Sequence, residues 1–136
     1  MEFIYTRQSV DKKDSISIET QVDVCKKKTL GNEVMIFSDK GFSGKSTDRP
    51  EFQRMMKEIR KGRATKIIVY KLDRISRSLI DFLNMRQEFA KYNVELVSCM
   101  EDFDTSTSIG KLLINILMMF AEMERESIQK RIKDNY

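Results

Sequence analysis

Short runs of β-branched and aromatic residues recur along the chain and alternate with segments of helical periodicity. The runs Phe3–Tyr5, Glu33–Phe37, Lys66–Tyr70 and Val94–Val97 are typical of buried strands. Strands that alternate with helices of about 12 residues indicate an α/β fold with a largely parallel sheet. We therefore expect a single layered α/β domain, whose mostly parallel central sheet of about four to five strands is flanked by helices.

Apolar residues at intervals of three or four predict three helices between the strands. The first spans Ser17–Lys28, and the second spans Pro50–Arg60, with its proline in the first turn. A third begins after Ser78, whose hydroxyl can cap a helix. The residues that carry this spacing are Ile18, Val22 and Cys25 in the first helix, Phe52, Met55, Met56 and Ile59 in the second, and Leu79, Phe82, Leu83, Arg86 and Phe89 in the third.

A much longer helical pattern begins near Thr107 or Ser108 and continues to about Asn135. It predicts a helix of about 28 residues, roughly 42 Å long. Its first half, Ile109–Met123, is apolar nearly all round, whereas Glu124–Lys133 is charged. One apolar stripe should pack on the domain and another on a partner, the alternative being a central helix of one domain.

The chain accordingly divides into an α/β core at residues 1–106 and an oligomerisation helix at residues 107–136. Two polar loops interrupt the core, the glycine-rich Gly41–Asp48 and the short Asp102–Ser106. Long polar loops of the first kind are either mobile or functional.

Composition narrows the possible chemistry. The chain has no histidine, which removes the commonest general base and the commonest transition-metal ligand. Cys25 and Cys99 form no CxxC pair and are expected to be two reduced, buried thiols. No apolar stretch approaches the roughly 20 residues of a membrane-spanning helix, and the first residues lack a secretory-signal pattern. We therefore expect a cytoplasmic protein.

The net charge of +4 is unevenly distributed. Between Arg60 and Arg77 there are seven basic residues and one acidic residue, Asp73. Such a cluster suits a polyanionic partner, and the alternative is an ordinary solvated surface.

Arginines gather near the predicted strand ends, where parallel α/β sheets place their sites. Ser9 follows Arg7 by two residues. This spacing alone is weak evidence for a catalytic serine, because most serines at strand ends cap turns or helices. The arginines strengthen the case, because guanidinium groups make bidentate, permanently charged contacts with phosphate and can take the place of a metal ion. Those that could converge on one phosphodiester are Arg7, Arg49, Arg74, Arg77 and Arg125.

The order and spacing of these residues resemble the serine recombinases, the family of resolvases, invertases and serine integrases. The combination that is specific to this family is RxS near the N-terminus, then LDRxSR, and well downstream ExER. The long loop looks more like that of serine integrases and transposon recombinases, and Gln8 departs from the valine common in the family. The matching motifs are Tyr5-Thr6-Arg7-x-Ser9, Ser17-Ile18-x-x-Gln21, Gly41-Phe42-Ser43-Gly44, Asp48-Arg49-Pro50-x-Phe52, Tyr70-Lys71-Leu72-Asp73-Arg74-x-Ser76-Arg77 and Glu122-x-Glu124-Arg125-x-x-Ile128.

The resemblance implies metal-free and cofactor-free chemistry on double-stranded DNA. Ser9 would attack a backbone phosphate, giving a 5′-phosphoserine and a free 3′-hydroxyl, so that religation needs no ATP. Arg74 is a candidate to protonate the leaving oxygen, and the general base stays open. The expected roles are phosphate binding for Arg7, Arg49, Arg74 and Arg77, orientation of that set by Gln21 and Asp73, and a long-helix side of the site for Glu124 and Arg125.

The resemblance also implies an assembly. Homodimers would pair through the helix at residues 107–135, two dimers would form a tetramer on DNA, and its halves would rotate before religation. DNA sequence recognition would belong to a separate DNA-binding region, and an accessory directionality protein is a further expected partner.

Two alternatives remain open at this stage. The first is an inactive module of the same fold that only assembles on DNA. The second is a metal-dependent phosphoesterase whose carboxylates hold Mg²⁺, although no pair of them has convincing ligand spacing. Its candidate ligands are Asp39, Asp73, Asp102 and Asp104.

Overall fold

The structure is a computed structural model that describes residues 1–8, 16–29, 31, 33–40, 49–76 and 78–134. Side chains of the last helix are described up to residue 127. Ser9, the loop Gly41–Asp48 and Arg77 therefore lie outside the described residues. The elements within them are β1 (Glu2–Gln8), α1 (Ile18–Lys26), β2 (Val34–Lys40), α2 (Pro50–Arg60), β3 (Lys66–Val69), a 3₁₀ turn (Leu72–Arg74), α3 (Leu79–Lys91), β4 (Glu95–Ser98), β5 (Phe103–Asp104) and α4 (Ser108–Asp134).

The five strands form one sheet in the order β2-β1-β3-β4-β5. All neighbouring pairs are parallel except β4 and β5. The predicted α/β fold with a mostly parallel sheet is thus confirmed. The carboxyl ends of β1, β2, β3 and β4 meet at one edge of the sheet, which is where such folds place their sites.

The fifth strand lies in a segment that the sequence pattern indicated to be a polar loop. Only Phe103 and Asp104 are extended, and they pair with Ser98 and Val97 of β4. The Thr105 hydroxyl accepts a hydrogen bond from the Leu96 N–H at 2.8 Å, which extends this connection. A two-residue strand has no periodicity of its own, so its existence follows from pairing with β4.

Two apolar layers cover the sheet, because successive strand residues point to opposite faces. Phe3 and Tyr5 of β1 pack with the buried residues of α2, α3 and α4. Ile4, between them, packs on the other face with Cys25 of α1. Strand β1 is therefore buried on both sides, as expected for a central parallel strand.

The inward-facing residues of the helices largely follow the predicted spacing. In α2 the four predicted residues are all buried, and Ser78 accepts a hydrogen bond from the Asp81 N–H at the start of α3. In α1, however, the fully buried residues are Gln21 and Cys25, whereas Ile18 and Val22 are only partly buried. A polar side chain thus occupies the centre of the α1 interface.

The long helix α4 presents a narrow stripe to the domain. Gly110, Ile114 and Ala121 are buried, and Leu117 is partly buried. Gly110 permits the close approach, because a Cβ atom there would lie 1.9 Å from the carbonyl oxygen of Asp104. Among the described side chains of α4, the other large apolar ones are exposed, namely Ile109, Leu112, Leu113, Ile116, Met118, Met119, Phe120 and Met123.

The predicted packing of one α4 stripe on the domain is therefore confirmed, and the pairing of the other stripe with a partner stays a prediction. None of the described helices combines the length and apolar character that crossing a bilayer requires.

A buried carboxylate fastens α2 to the sheet. Asp39, near the end of β2, accepts hydrogen bonds from the N–H groups of Glu51 and Phe52 at 3.0 and 3.1 Å. It also accepts one from the Tyr5 hydroxyl of β1 at 2.7 Å. First-turn N–H groups lack partners within a helix and favour a negative charge. Because the N-cap residue Arg49 makes no side-chain cap, Asp39 supplies the cap from a neighbouring strand.

This contact predicts a pH dependence of stability. Burial raises the pKa of Tyr5 well above its ordinary value, and the hydrogen bond to Asp39 acts in the same direction. Above about pH 10 the unfolded chain ionises this phenol while the folded chain keeps it protonated, so the free energy of unfolding should fall as the pH rises through that range. Urea denaturation at a series of alkaline pH values measures this fall in the free energy of unfolding.

Tyr5→Phe should flatten this dependence, because it removes the buried phenol, whereas the control Tyr92→Phe at the end of α3 should retain it. An equally steep alkaline loss of stability in Tyr5→Phe would contradict the assignment.

Candidate active site

A buried amide holds the end of β1. Gln21 of α1 donates from Nε2 to the carbonyl oxygens of Arg7 and Ile16 at 3.0 and 2.8 Å. Its Oε1 accepts from the Arg7 N–H at 3.3 Å. Both polar ends of the side chain are thus satisfied without water, which a fully buried amide requires. The contact fixes the main chain two residues before Ser9.

Two of the predicted arginines lie around the Tyr5–Asp39 pair. Arg7 is buried and stands opposite Asp39 in the register of β1 and β2. The guanidinium of Arg49 lies 4.3 Å from the centre of the Phe52 ring, and its Nη1 donates to the Ile75 carbonyl at 3.1 Å. Both arginines act to lower the pKa of Tyr5, against the larger effect of burial, so both positive charges are near its hydroxyl.

The Leu72–Arg74 turn brings a third arginine to the same edge of the sheet. The turn follows β3, and the Arg49–Ile75 hydrogen bond connects its end to the start of α2. The Arg74 side chain is only 15% exposed, and its buried Nε has no hydrogen-bond partner among the described residues. Its nearest carboxylate oxygen, on the exposed Asp73, is 3.9 Å away.

The cost of a buried donor without a partner is about 1–3 kcal/mol. An anion that accepts from Arg74 would therefore make a contact that the described residues leave unmade.

A carboxylate that the sequence analysis did not single out anchors this turn. Glu101 accepts from the Leu72 N–H, with its two oxygens 3.4 and 3.3 Å from the nitrogen, and from the Ser98 hydroxyl. The two partners Leu72 and Glu101 are 29 residues apart and meet only because β3 and β4 are paired. No local sequence signal marks Glu101.

Asp39 was considered in the sequence only as a metal ligand, whereas in the structure it caps α2. Its place just after a predicted strand is visible in the sequence, but its register with Arg7 and its contact with α2 are not.

The remaining predicted site residues are less closely connected. Glu124 and Arg125 are exposed on α4, and Arg125 borders a groove that α4 forms with α3 beside Arg86. No hydrogen bond or ion pair between described residues joins either of them to Arg49 or Arg74. Ser9 and Arg77 lie outside the described residues, so their predicted roles stay predictions.

The carboxylates of the metal hypothesis have separate surroundings. Asp39 caps α2, Asp104 accepts from the Ser106 N–H at 2.8 Å, and Asp102 lies 3.9 Å from the Lys28 ammonium. In the part of the chain that the structure describes, no three cysteine, aspartate or glutamate side chains are grouped closely enough to hold a metal ion.

Comparison with known proteins gives one family. A family model described as "Resolvase, N terminal domain" matches residues 2–136. The Tn917 resolvase of Enterococcus faecalis is 31% identical over 131 residues, which cover 96% of this chain and 66% of that protein. The serine recombinase gin of Escherichia phage Mu is 36% identical over 96 residues, covering 71% of this chain and 48% of that protein. The chain thus spans about half to two thirds of the length of these two relatives.

Solved structures agree with this result. The N-terminal catalytic domain of TP901-1 integrase superposes with a TM-score of 0.81 at 37% identity, covering 92% of this chain and 96% of that one. A resolvase family site-specific recombinase from Streptococcus pneumoniae gives a TM-score of 0.77 at 32% identity, covering 98% and 93%. The family predicted from the motifs is confirmed, and the chain belongs to the resolvase family of serine recombinases, where it matches the N-terminal domain.

Proposed function

We propose that the chain is the catalytic domain of a site-specific DNA recombinase that cleaves and religates double-stranded DNA through a covalent bond to Ser9. Relatives named as a resolvase, a DNA-invertase and an integrase catalytic domain support this proposal. The observation that carries it is the placement of Arg7, Arg49 and Arg74 on segments at the carboxyl edge of the sheet. These residues come from three separate segments of the chain, and the first lies two positions before Ser9.

In the proposed reaction the Ser9 hydroxyl oxygen attacks a backbone phosphorus. The new bond joins that oxygen to phosphorus, and the bond from phosphorus to the 3′-oxygen breaks, which leaves a 5′-phosphoserine and a free 3′-hydroxyl. The leaving oxygen takes a proton, for which Arg74 is the proposed donor, while the base that accepts the Ser9 proton stays open. Attack of a 3′-hydroxyl on the phosphoserine restores the DNA and Ser9, so no ATP is needed.

The arginines would supply the electrostatic part of this reaction. Negative charge on the phosphoryl oxygens must be stabilised in the transition state, and fixed donors do so without reorganisation. Arg49 is already held by the Phe52 ring and the Ile75 carbonyl, and the buried Nε of Arg74 lacks a hydrogen-bond partner in the part of the chain that the structure describes. The proposal keeps the predicted roles of the other residues, with Arg77 on the phosphate, Gln21 and Asp73 orienting the set, and Glu124 and Arg125 contributing from α4.

The exposed apolar face of α4 supports the proposed assembly. Eight large apolar side chains are exposed on one helix, which is more than isolated surface residues explain. We propose that the helix at residues 107–135 pairs two copies, and that two such dimers form a tetramer on DNA. Recognition of the DNA sequence would belong to another region of the protein, and an accessory directionality protein remains a proposed partner.

The second candidate function is an inactive module that only assembles copies of the protein on DNA. The same exposed face of α4 favours it, and the following experiment separates the two.

The covalent bond can be tested with the protein that contains the DNA-binding region and a suicide DNA substrate carrying its crossover site. We expect a protein–DNA adduct at the 5′ end on a denaturing gel, formed equally well in EDTA and absent for Ser9→Ala. A wild-type protein that binds and assembles on the site but forms no adduct would favour the inactive module. Loss of the adduct in EDTA would favour metal-dependent chemistry.

Arg74→Ala tests the arginine set. Removing one preset donor from a charged transition state should lower the cleavage rate by about 10² or more, while assembly on the site is kept. The rate of adduct formation in a single turnover measures this effect. Arg63→Ala is the control, because Arg63 is an exposed arginine paired with Glu58. We expect this variant to cleave DNA at the wild-type rate. Near-normal cleavage by Arg74→Ala would refute its proposed role.

Leu112→Glu tests the α4 interface. Leu112 is 58% exposed, so the charge should leave the folded monomer intact, but it would place a desolvated carboxylate between paired helices. We expect self-association to weaken at least about tenfold in sedimentation velocity. Lys111→Glu changes a neighbouring polar position and should weaken association less. Unchanged association of Leu112→Glu would assign the interface to another surface.

A further inference from the structure

Two cysteines that are 74 residues apart in the sequence form a close pair in the structure. The Sγ atoms of Cys25 and Cys99 are 3.9 Å apart, and both thiols are free. Cys25 lies in the last turn of α1 and is fully buried, whereas Cys99 directly follows β4 and is partly exposed. The sequence predicted two reduced, buried thiols; in the structure both are free and lie side by side, and Cys99 is partly exposed.

We propose that Cys25 and Cys99 are a redox-active dithiol, which a small disulfide such as oxidised glutathione converts reversibly into an intramolecular disulfide. A disulfide bond is about 2.05 Å long, so the two sulfurs must approach by about 1.9 Å. Rotation of the partly exposed Cys99 side chain is a movement of that size. Disulfides in reducing compartments are usually transient, which suits a reversible link.

The surroundings assign the two sulfurs different parts. The Cys25 thiol can donate to a Cys99 thiolate, which lowers the pKa of Cys99, and Lys28 acts in the same direction. Burial of Cys99 and the charge of Glu101 oppose this effect. Pairing and burial raise the pKa of Cys25. Cys99 is the partly exposed member of the pair and the one whose pKa is lowered, so we assign it the first attack.

The exchange then proceeds in two balanced steps. The Cys99 thiolate attacks one sulfur of oxidised glutathione, forms a mixed disulfide and releases one glutathione thiolate. Cys25 loses its proton and attacks the Cys99 sulfur, which forms the Cys25–Cys99 bond and releases the second glutathione. The two protein thiols are oxidised, and one glutathione disulfide is reduced to two thiols.

The link would join the two segments that hold the sides of the candidate site. Gln21, one turn before Cys25 on α1, holds the main chain of Arg7. Glu101, two residues after Cys99, holds the Leu72 end of the turn that carries Arg74. Oxidation would therefore link covalently the segment that holds Arg7 to the segment that holds the Arg74 turn. The inference concerns the fold alone and does not depend on the proposed DNA chemistry.

The experiment uses the purified protein without DNA. The protein is equilibrated in mixtures of reduced and oxidised glutathione, quenched in acid, alkylated, and analysed by intact mass and peptide mapping. We expect a monomer that is two hydrogens lighter, contains a Cys25–Cys99 cross-linked peptide, and returns to two thiols with dithiothreitol. The thermal midpoint of the oxidised form should be higher by on the order of 10 °C, because the link restricts a long loop of the unfolded chain.

Two variants keep the result interpretable. Cys25→Ala should stop the reaction at glutathione bound to Cys99, with no rise in the midpoint, whereas Cys99→Ala should leave Cys25 unmodified. Cys99→Ala replaces a partly exposed side chain, so it serves if Cys25→Ala fails to fold. A stable wild-type adduct of glutathione on Cys99, a disulfide between two copies, or two unreacted thiols would each overturn the inference. An unchanged thermal midpoint of the cross-linked form would contradict the proposed stabilisation by the disulfide.

Discussion

Burial of β1 on both faces is the constraint on which the candidate site depends. Polar groups near the end of a doubly covered strand are remote from water and must find partners in the protein. Gln21 meets this requirement from α1 for the main chain of Arg7, and Asp39 meets it from β2 for the hydroxyl of Tyr5. The same hydrogen bonds that satisfy β1 therefore fix α1 and α2 around its carboxyl end. The positions of Gln21 and Asp39 at this edge of the sheet thus follow from the burial of β1.

The carboxylates at this edge are held mainly by groups other than the arginines. Arg7 and Arg49 both lie near the Tyr5 hydroxyl, while the nearby carboxylate of Asp39 is occupied with the first turn of α2. Arg74 adds a third guanidinium, and its ion pair among the described residues is a long one, to the exposed carboxylate of Asp73. A partly buried guanidinium whose Nε lacks a partner among the described residues favours a bound anion. A phosphodiester is the anion that the family chemistry would bring there.

Local patterns in the sequence predicted what local interactions determine. The bounds of α2, the cap of α3 and the alternation of strands and helices all follow from neighbouring residues, and the structure agrees with them. The contacts of Asp39 and Glu101 join segments that meet only through strand pairing, so no local pattern could indicate them. The arginine set was predicted from the strand ends and a family motif, and of that set the structure places Arg7, Arg49 and Arg74 on segments at the carboxyl edge of the sheet. The roles of Ser9 and Arg77 rest on that motif alone.

The close packing of α4 on the domain at Gly110 means that a small change of tilt there moves the far end of the helix by a larger distance. The buried residues among its described side chains, Gly110, Ile114 and Ala121, lie in its first half or at its middle, and the charged half extends beyond them. A helix of 27 residues is about 40 Å long, so each degree of tilt at its seat would displace the far end by about 0.7 Å. Small changes where α4 meets β5 would thus be magnified at the end of the chain, where whatever follows α4 would be carried along.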